Sequence, residues 1–131
     1  MSQENVEIVR RIYDADRGDW DEVFRYAAPD IEVTFKAGPR AGTHRGREEV
    51  QAVLEDVAAG FEVWISEPVE FFESGDRIVV IVDNRLRPKG GTSGEFEFRN
   101  GHIWTIRDGM VVSLLGFATA EETLEAAGLS E

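Results

Sequence analysis

Four runs of alternating apolar and polar residues fill the stretch from 61 to 117, with only short turns between the first two and the last two. They are Phe61–Phe72, Arg77–Arg87, Glu95–Arg107 and Met110–Phe117. A period of two is the signature of a half-buried strand. The connections "ESGDR" (73–77), "RPKGGTSG" (87–94) and Asp108-Gly109 are too short to hold crossover helices, so the strands must run antiparallel as a meander. Asp-Gly at a two-residue connection favours a type I′ hairpin, because both positions tolerate positive φ.

The remainder of the chain supplies helices to cover that sheet. Val6, Ile8, Val9, Ile12 and Tyr13 fall on one face of a first helix, with Ser2 as its expected N-cap and Gly18 as its stop. "DWDE" (19–22) has capping-box spacing, and Trp20, Val23, Phe24 and Ala27 extend a helical stripe that Pro29 should end. "DIEVTF" (30–35) reads as a strand with Ile31, Val33 and Phe35 on one side, and "KAGPRAGTHRG" (36–46) as a loop. A third helix is expected from Arg47 to Ala59, closed by Gly60, with Val50, Val53, Leu54 and Val57 facing inward. Thr119 with Glu122 caps a short last helix through Ala127, stopped by Gly128. The order predicts one α+β domain over 1–131, with helices segregated onto one face of a curved, mainly antiparallel sheet.

Alternation also decides which way the polar residues of the meander point. In 95–107, Phe96, Phe98, Asn100, His102, Trp104 and Ile106 share the face the helices should cover. A bulge at Asn100-Gly101 would reverse everything before it, but His102 keeps the face of Trp104 and Ile106 either way. Asn84 shares a face with Val82 and Leu86, and so points inward; Asp83 and Arg85 lie on the opposite face. Trp64 and Phe72 share a face unless Pro68 introduces a bulge. Tyr13 lies on the buried stripe of the first helix, where its hydroxyl needs a partner.

Charge and composition narrow the function classes. Fourteen Lys and Arg against 26 Asp and Glu give a formal net charge of −12, a surface that repels phosphate backbones and anionic lipid. Without cysteine, disulfides and thiolate metal sites are excluded. The N-terminus "MSQENVEIVRR" has no signal-type apolar run and no stretch is long enough to span a membrane, so a cytoplasmic protein is expected. No glycine-rich phosphate loop follows a strand and opens a helix, and the two histidines, His44 and His102, are far apart in sequence, so no cofactor and no metal is expected.

The segments "ENVEIVRRIYDADRGDWDEV", "PDIEVTF", "GTHRGREEVQAVLEDV" and "HIWTIRDGMVVSLLGF", in this order and followed by a short acidic-alanine helix, resemble the nuclear transport factor 2-like superfamily in its SnoaL-like branch. That resemblance implies a cone: a strongly curved sheet wrapped over three helices, enclosing a mostly apolar cavity, in a protein that dimerises sheet to sheet. It also implies a range of cofactor-free chemistries, among them ketosteroid isomerisation, polyketide cyclisation and epoxide hydrolysis. His102 falls where the isomerases place an oxyanion-stabilising aspartic acid and where the cyclases place a histidine. The isomerases' base on the first strand corresponds to Phe35, and the cyclases' aspartate on the last strand corresponds to a position near Gly116. Tyr13 stands one or two residues closer to "RGDW" than the isomerases' helix-one tyrosine.

The expected function is therefore a homodimer, paired through the outer sheet face, that binds a small, largely apolar organic molecule. Its expected lining is Tyr13, Phe35, Trp64, Asn84, Phe98, Trp104 and Phe117, with His102 as the candidate acid–base. Against this stands a non-catalytic binding or scaffold module, its interior filled by its own aromatics and His102 merely a satisfied histidine bonded to Asn100, Asn84 or Tyr13. His44 reads as a solvated loop residue or as a contact at the cavity mouth.

Overall fold

The computed structural model describes residues 2–15, 18–90 and 94–129. Ten elements follow along the chain: α1 (Ser2–Asp14), α2 (Trp20–Val23), β1 (Ala27–Phe35), β2 (Gly42–Arg45), α3 (Arg47–Ala58), β3 (Phe61–Ser74), β4 (Arg77–Pro88), β5 (Phe96–Arg107), β6 (Met110–Phe117) and α4 (Ala120–Ala126). The strands form one open, mixed sheet in the order β2-β1-β6-β5-β4-β3. The meander from β3 to β6 is antiparallel throughout, and β1 joins its end parallel to β6. At the β5–β6 turn Asp108 has φ 52° and Gly109 has φ 76°, as a type I′ hairpin requires.

Local capping follows the sequence. The Asp19 side chain accepts from the Glu22 amide, and the Thr119 hydroxyl oxygen accepts from the Glu122 amide at 3.0 Å, each satisfying an amide the helix cannot pair itself. Other expectations are corrected. Ser2 stands inside α1 rather than before it, and α1 ends at Asp14, short of Gly18. α2 is a single turn, so Ala27 and Pro29 belong to β1 rather than to a helix. Pro29 is tolerated there because the β1–β6 register breaks between Ala27 and Glu32, where a missing N–H costs no ladder bond. The loop 36–46 contains β2, an edge strand pairing antiparallel with β1 through Glu32–Arg45 and Thr34–Thr43.

Two clusters hold the sheet. On the inner face Val9 and Ile12 of α1 and Val50 of α3 pack on Ile31, Val33, Ile78, Val80, Val82, Trp104 and Ile106. On the outer face Val79, Ile103 and Phe117 pack with Phe72, Leu115 and Ala127. α4 therefore covers the face opposite the other helices, which corrects the expectation that all helices lie on one side. It explains why Ile78 through Val82 are all at most 1% exposed: that part of β4 is covered on both faces. Phe72 reaches the outer cluster because the β3–β4 register shifts between Pro68 and Glu70, so it does not share a face with Trp64. No bulge occurs at Asn100-Gly101 in the β4–β5 ladder; the irregularity of β5 lies against β6, between Thr105 and Ile106.

Candidate functional site

His102 is placed by pairings on both sides. On β5 it stands opposite Val80 of β4 and Gly116 of β6, and Gly116 in turn stands opposite Phe35 of β1. Its neighbour two residues on, Trp104, is 6% exposed on the floor of the inner face. The last turn of α1 brings Tyr13 down onto this face. The Tyr13 hydroxyl lies 2.5 Å from His102 Nδ1, and Trp104 Nε1 donates to the same hydroxyl at 3.0 Å. The Tyr13 and His102 rings stack at 5.8 Å with an interplanar angle of 25°, and Trp104 meets both edge-on. Tyr13 thus reaches His102 despite its offset from "RGDW", because α1 ends one residue after it.

Across β6 from His102 stand Gly116 and then Phe35, neither of which can exchange a proton. A Cβ at Gly116 would lie 3.2 Å from the Phe35 ring and 3.6 Å from His102 Cδ2. Phe35 and Gly116, the positions where the resemblance implied a base and an aspartate, are therefore beside the imidazole as a phenyl ring and bare backbone. His102 is a half-buried imidazole bounded by Tyr13, Trp104, Phe35 and the β6 backbone. Imidazole in such a setting can donate, accept or transfer a proton.

A second polar group lies further along the same face. Ser66 Oγ donates to Asn84 Oδ1 at 2.9 Å, and Asn84 Nδ2 donates to Asn100 Oδ1 at 2.7 Å. Asn84 is 7% exposed, and this ladder satisfies it, as burial demands. Asn100 was not among the expected lining residues. Its position two residues before His102 on one strand face is the signal that could have found it.

The remaining expected residues separate. Phe98 is on the inner face opposite Asn84 but 43% exposed. Trp64 pairs with Leu86, which pairs with Phe96, six residues along β5 from His102; that is about 20 Å along the strand, so Trp64 is remote from the imidazole. Phe117 is on the outer face under α4, since the residue after an inward Gly116 must point outward. His44, expected in a loop, is on the edge strand β2 opposite Val33: its Nε2 lies 3.0 Å from the Arg40 carbonyl oxygen, its Nδ1 3.6 Å from Glu49, and its ring 6.0 Å from that of Phe35. Among the described residues, no cluster of three His, Cys, Asp or Glu is placed to hold a metal ion, and no helix is long and apolar enough to cross a membrane.

The outer face of the sheet carries charge in pairs. Arg99 binds Asp83 across the β4–β5 ladder with two hydrogen bonds, 2.6 and 3.0 Å, and its guanidinium holds the Asp83 carboxyl below the ordinary carboxylate range. These two residues, with Ile65, Glu67, Arg85, Glu97 and the expected site residues Asn84 and Phe98, border an open groove of about 490 Å³ at this end of the sheet. A second groove of about 780 Å³ lies at the opposite end, between the start of α1 and the β5–β6 turn. Neither is lined by His102.

Comparison with known proteins agrees with this architecture. No protein of curated function matches the chain in sequence. Among solved structures, a nuclear transport factor 2-like protein of Burkholderia xenovorans is 33% identical, with 87% of this chain and 88% of that one aligned and a TM-score of 0.72. TerC, co-crystallised with polyporic acid, is 26% identical over 86% of this chain and 89% of its own, with a TM-score of 0.77. A putative SnoaL-like polyketide cyclase of Jannaschia is 20% identical over 98% and 94%, also at 0.77, and so supports the fold alone. The SnoaL-like domain model matches residues 9–114, from the middle of α1 to β6, and the chain belongs to that family.

Proposed function

We propose that the protein binds a small, largely apolar organic molecule on the inner face of the sheet, with His102 as its central polar contact and without a cofactor. The observation that carries this reading is the hydrogen-bonded Tyr13–His102–Trp104 array, set against Phe35 and Gly116. A polar imidazole held in fixed orientation among aromatic rings is the kind of convergent group that gives an apolar site its specificity. TerC, a relative at 26% identity co-crystallised with polyporic acid, supports an aromatic, oxygenated ligand for this chain. Proton transfer on such a ligand falls to His102, since Phe35 and Gly116 place no second acid or base beside it; isomerase, cyclase and hydrolase chemistry are the forms it would take. The competing reading, a scaffold filled by its own side chains, draws on the close packing of Tyr13 and Trp104 around the imidazole.

The functional unit in this proposal is a homodimer paired through the outer sheet face. Exposed Ile65, opposite Arg85, and the cross-strand ion pairs of that face give a patch with both signs of charge, suited to a self-complementary two-fold contact. Titration calorimetry with 2-hydroxy-1,4-naphthoquinone tests the binding claim. The wild type binds, and His102→Ala weakens binding about tenfold, the worth of one good hydrogen bond. Equal affinity for both proteins would remove His102 from the site.

A further inference from the structure

Residues 36–46 form a segment at the edge of the sheet that is held from one side. Its strand, β2, pairs with β1 alone, through four residues, and every side chain in the segment is exposed except that of His44. Gly42 and Gly46 bracket β2 with φ of 120° and 88°, a region that only glycine enters freely, so the backbone can turn there at little cost. The segment also borders the proposed site. Gly42 pairs with Phe35, Phe35 pairs with Gly116, and Gly116 stands opposite His102; the His44 ring lies 6.0 Å from the Phe35 ring. Few buried contacts, an exposed ladder and glycines at both ends are the features of a segment that opens locally.

What closes the segment is a titratable side chain. His44 Nε2 lies 3.0 Å from the Arg40 carbonyl oxygen, which can only accept, so Nε2 carries a proton. His44 Nδ1 lies 3.6 Å from the Glu49 carboxylate of α3, an acceptor as well. Both ring nitrogens therefore face oxygens that accept. The doubly protonated imidazolium satisfies this arrangement; the neutral ring, with one lone pair turned toward a carboxylate, does not. Glu49 also accepts from the Arg45 amide at 3.3 Å, which aims its carboxylate at β2. The other charges around the ring are paired elsewhere: Arg45 donates to Glu32 of β1 at 2.7 Å, and Arg40 pairs with Asp56 of α3. β1 itself presents Val33 and Phe35 to the ring.

We infer that residues 36–46 are a lid on the Phe35 side of the inner face, and that protonated His44 is its latch between the Arg40 carbonyl and the Glu49 carboxylate. Loss of the Nδ1 proton sets a lone pair against that carboxylate, so the latch loosens as pH rises through the range where imidazoles lose their charge. A partly exposed ion pair of this kind changes the opening equilibrium about two- to fivefold, which tunes access rather than switching it off. His44 is a positioning residue in this device and touches no ligand. The latch stands on the hydrogen-bond geometry; its role in ligand entry rests on the proposed binding on the inner face.

Two experiments separate the latch from the lid. Amide exchange in the free protein reads the latch, with rates divided by those of an unstructured chain at each pH so that only opening remains. Protection of the β2 amides should fall about two- to fivefold between pH 5.5 and pH 8.5, while that of β6 stays constant. Glu49→Gln keeps an oxygen for the Arg45 amide, and His44→Gln keeps a donor for the Arg40 carbonyl; each should show the lower protection at both pH values. Wild-type protection that does not change with pH, or a change that persists in either variant, would overturn the latch. Stopped-flow binding of 2-hydroxy-1,4-naphthoquinone at pH 5.5 reads the lid. Glu49→Gln should raise the association and dissociation rates together, about two- to fivefold, with Kd unchanged; weaker charge repulsion alone would raise only the first. Unchanged rates beside altered exchange would overturn the lid. If the wild type does not bind the quinone, the proposed binding function fails and the lid with it, while exchange still decides the latch.

Discussion

Gly101→Ala should undock α4 from the sheet. Gly101 is on β5 next to His102 but on the outer face, against the one fully buried polar side chain of α4, Thr123. A Cβ built on Gly101 lies 2.6 Å from Thr123 Cγ2, 2.7 Å from its Cβ and closer still to Oγ1. Thr123 cannot simply rotate away, because its hydroxyl donates to the Thr119 carbonyl at 2.8 Å. Overpacking of this kind costs about 1–3 kcal/mol. Removing a glycine's backbone freedom returns up to about 1 kcal/mol, so the net loss should be about 1–2 kcal/mol. For a chain of 131 residues that lowers Tm by about 4–7 °C, measurable by circular dichroism. The loss should concentrate in α4, whose amides exchange faster while those of β4 stay protected. Thr123→Ala in the Gly101→Ala background removes Oγ1 and Cγ2 but not Cβ, and should recover only part of the loss. A Gly101→Ala protein that melts within about 1 °C of wild type, with α4 still protected, would refute the reasoning.

Other substitutions test the inner and outer faces. Tyr13→Phe leaves the buried Trp104 N–H without its acceptor, and should cost about 1–3 kcal/mol in urea unfolding; adding Trp104→Phe should cost less in that background than in wild type, and additive losses would contradict the shared hydroxyl. On the outer face, Asp83 titrates below the ordinary carboxylate range because of Arg99. A depressed folded-state pKa contributes stability above the unfolded value, near pH 4, that is lost as pH falls through the folded value. Arg99→Ala should return the Asp83 titration, followed by carboxyl NMR, to the ordinary range, and an unchanged titration would show that Arg99 does not cause the shift.

How far the sequence reached can be traced through particular residues. The hairpin at Asp108-Gly109, the Thr119–Glu122 cap and the inward direction of His102 were legible because each depends on local chemistry or on a period counted along one strand. β2 was not, because four residues on a sheet edge, one of them glycine, carry no alternation; only the Thr34–Thr43 and Glu32–Arg45 pairs across the strands mark it. Phe72 was reassigned by the bulge near Val69, which a sequence containing Pro68 can suggest but not locate. Phe117 was misplaced among the lining residues because apolar character does not say which of two covered faces a residue serves. The role of α4 as cover for the outer face, and with it the reason for Gly101, needed the tertiary arrangement. Tyr13 depended on where α1 ends.

The most direct test of the binding role is an experimental structure of the protein with 2-hydroxy-1,4-naphthoquinone. The expected result is the ring system on the inner face against Phe35 and Gly116, with one oxygen within hydrogen-bond distance of the His102 imidazole. A probe found only in the groove at Ile65 and Arg99, or an inner face closed by its own side chains with no probe beside His102, would contradict it.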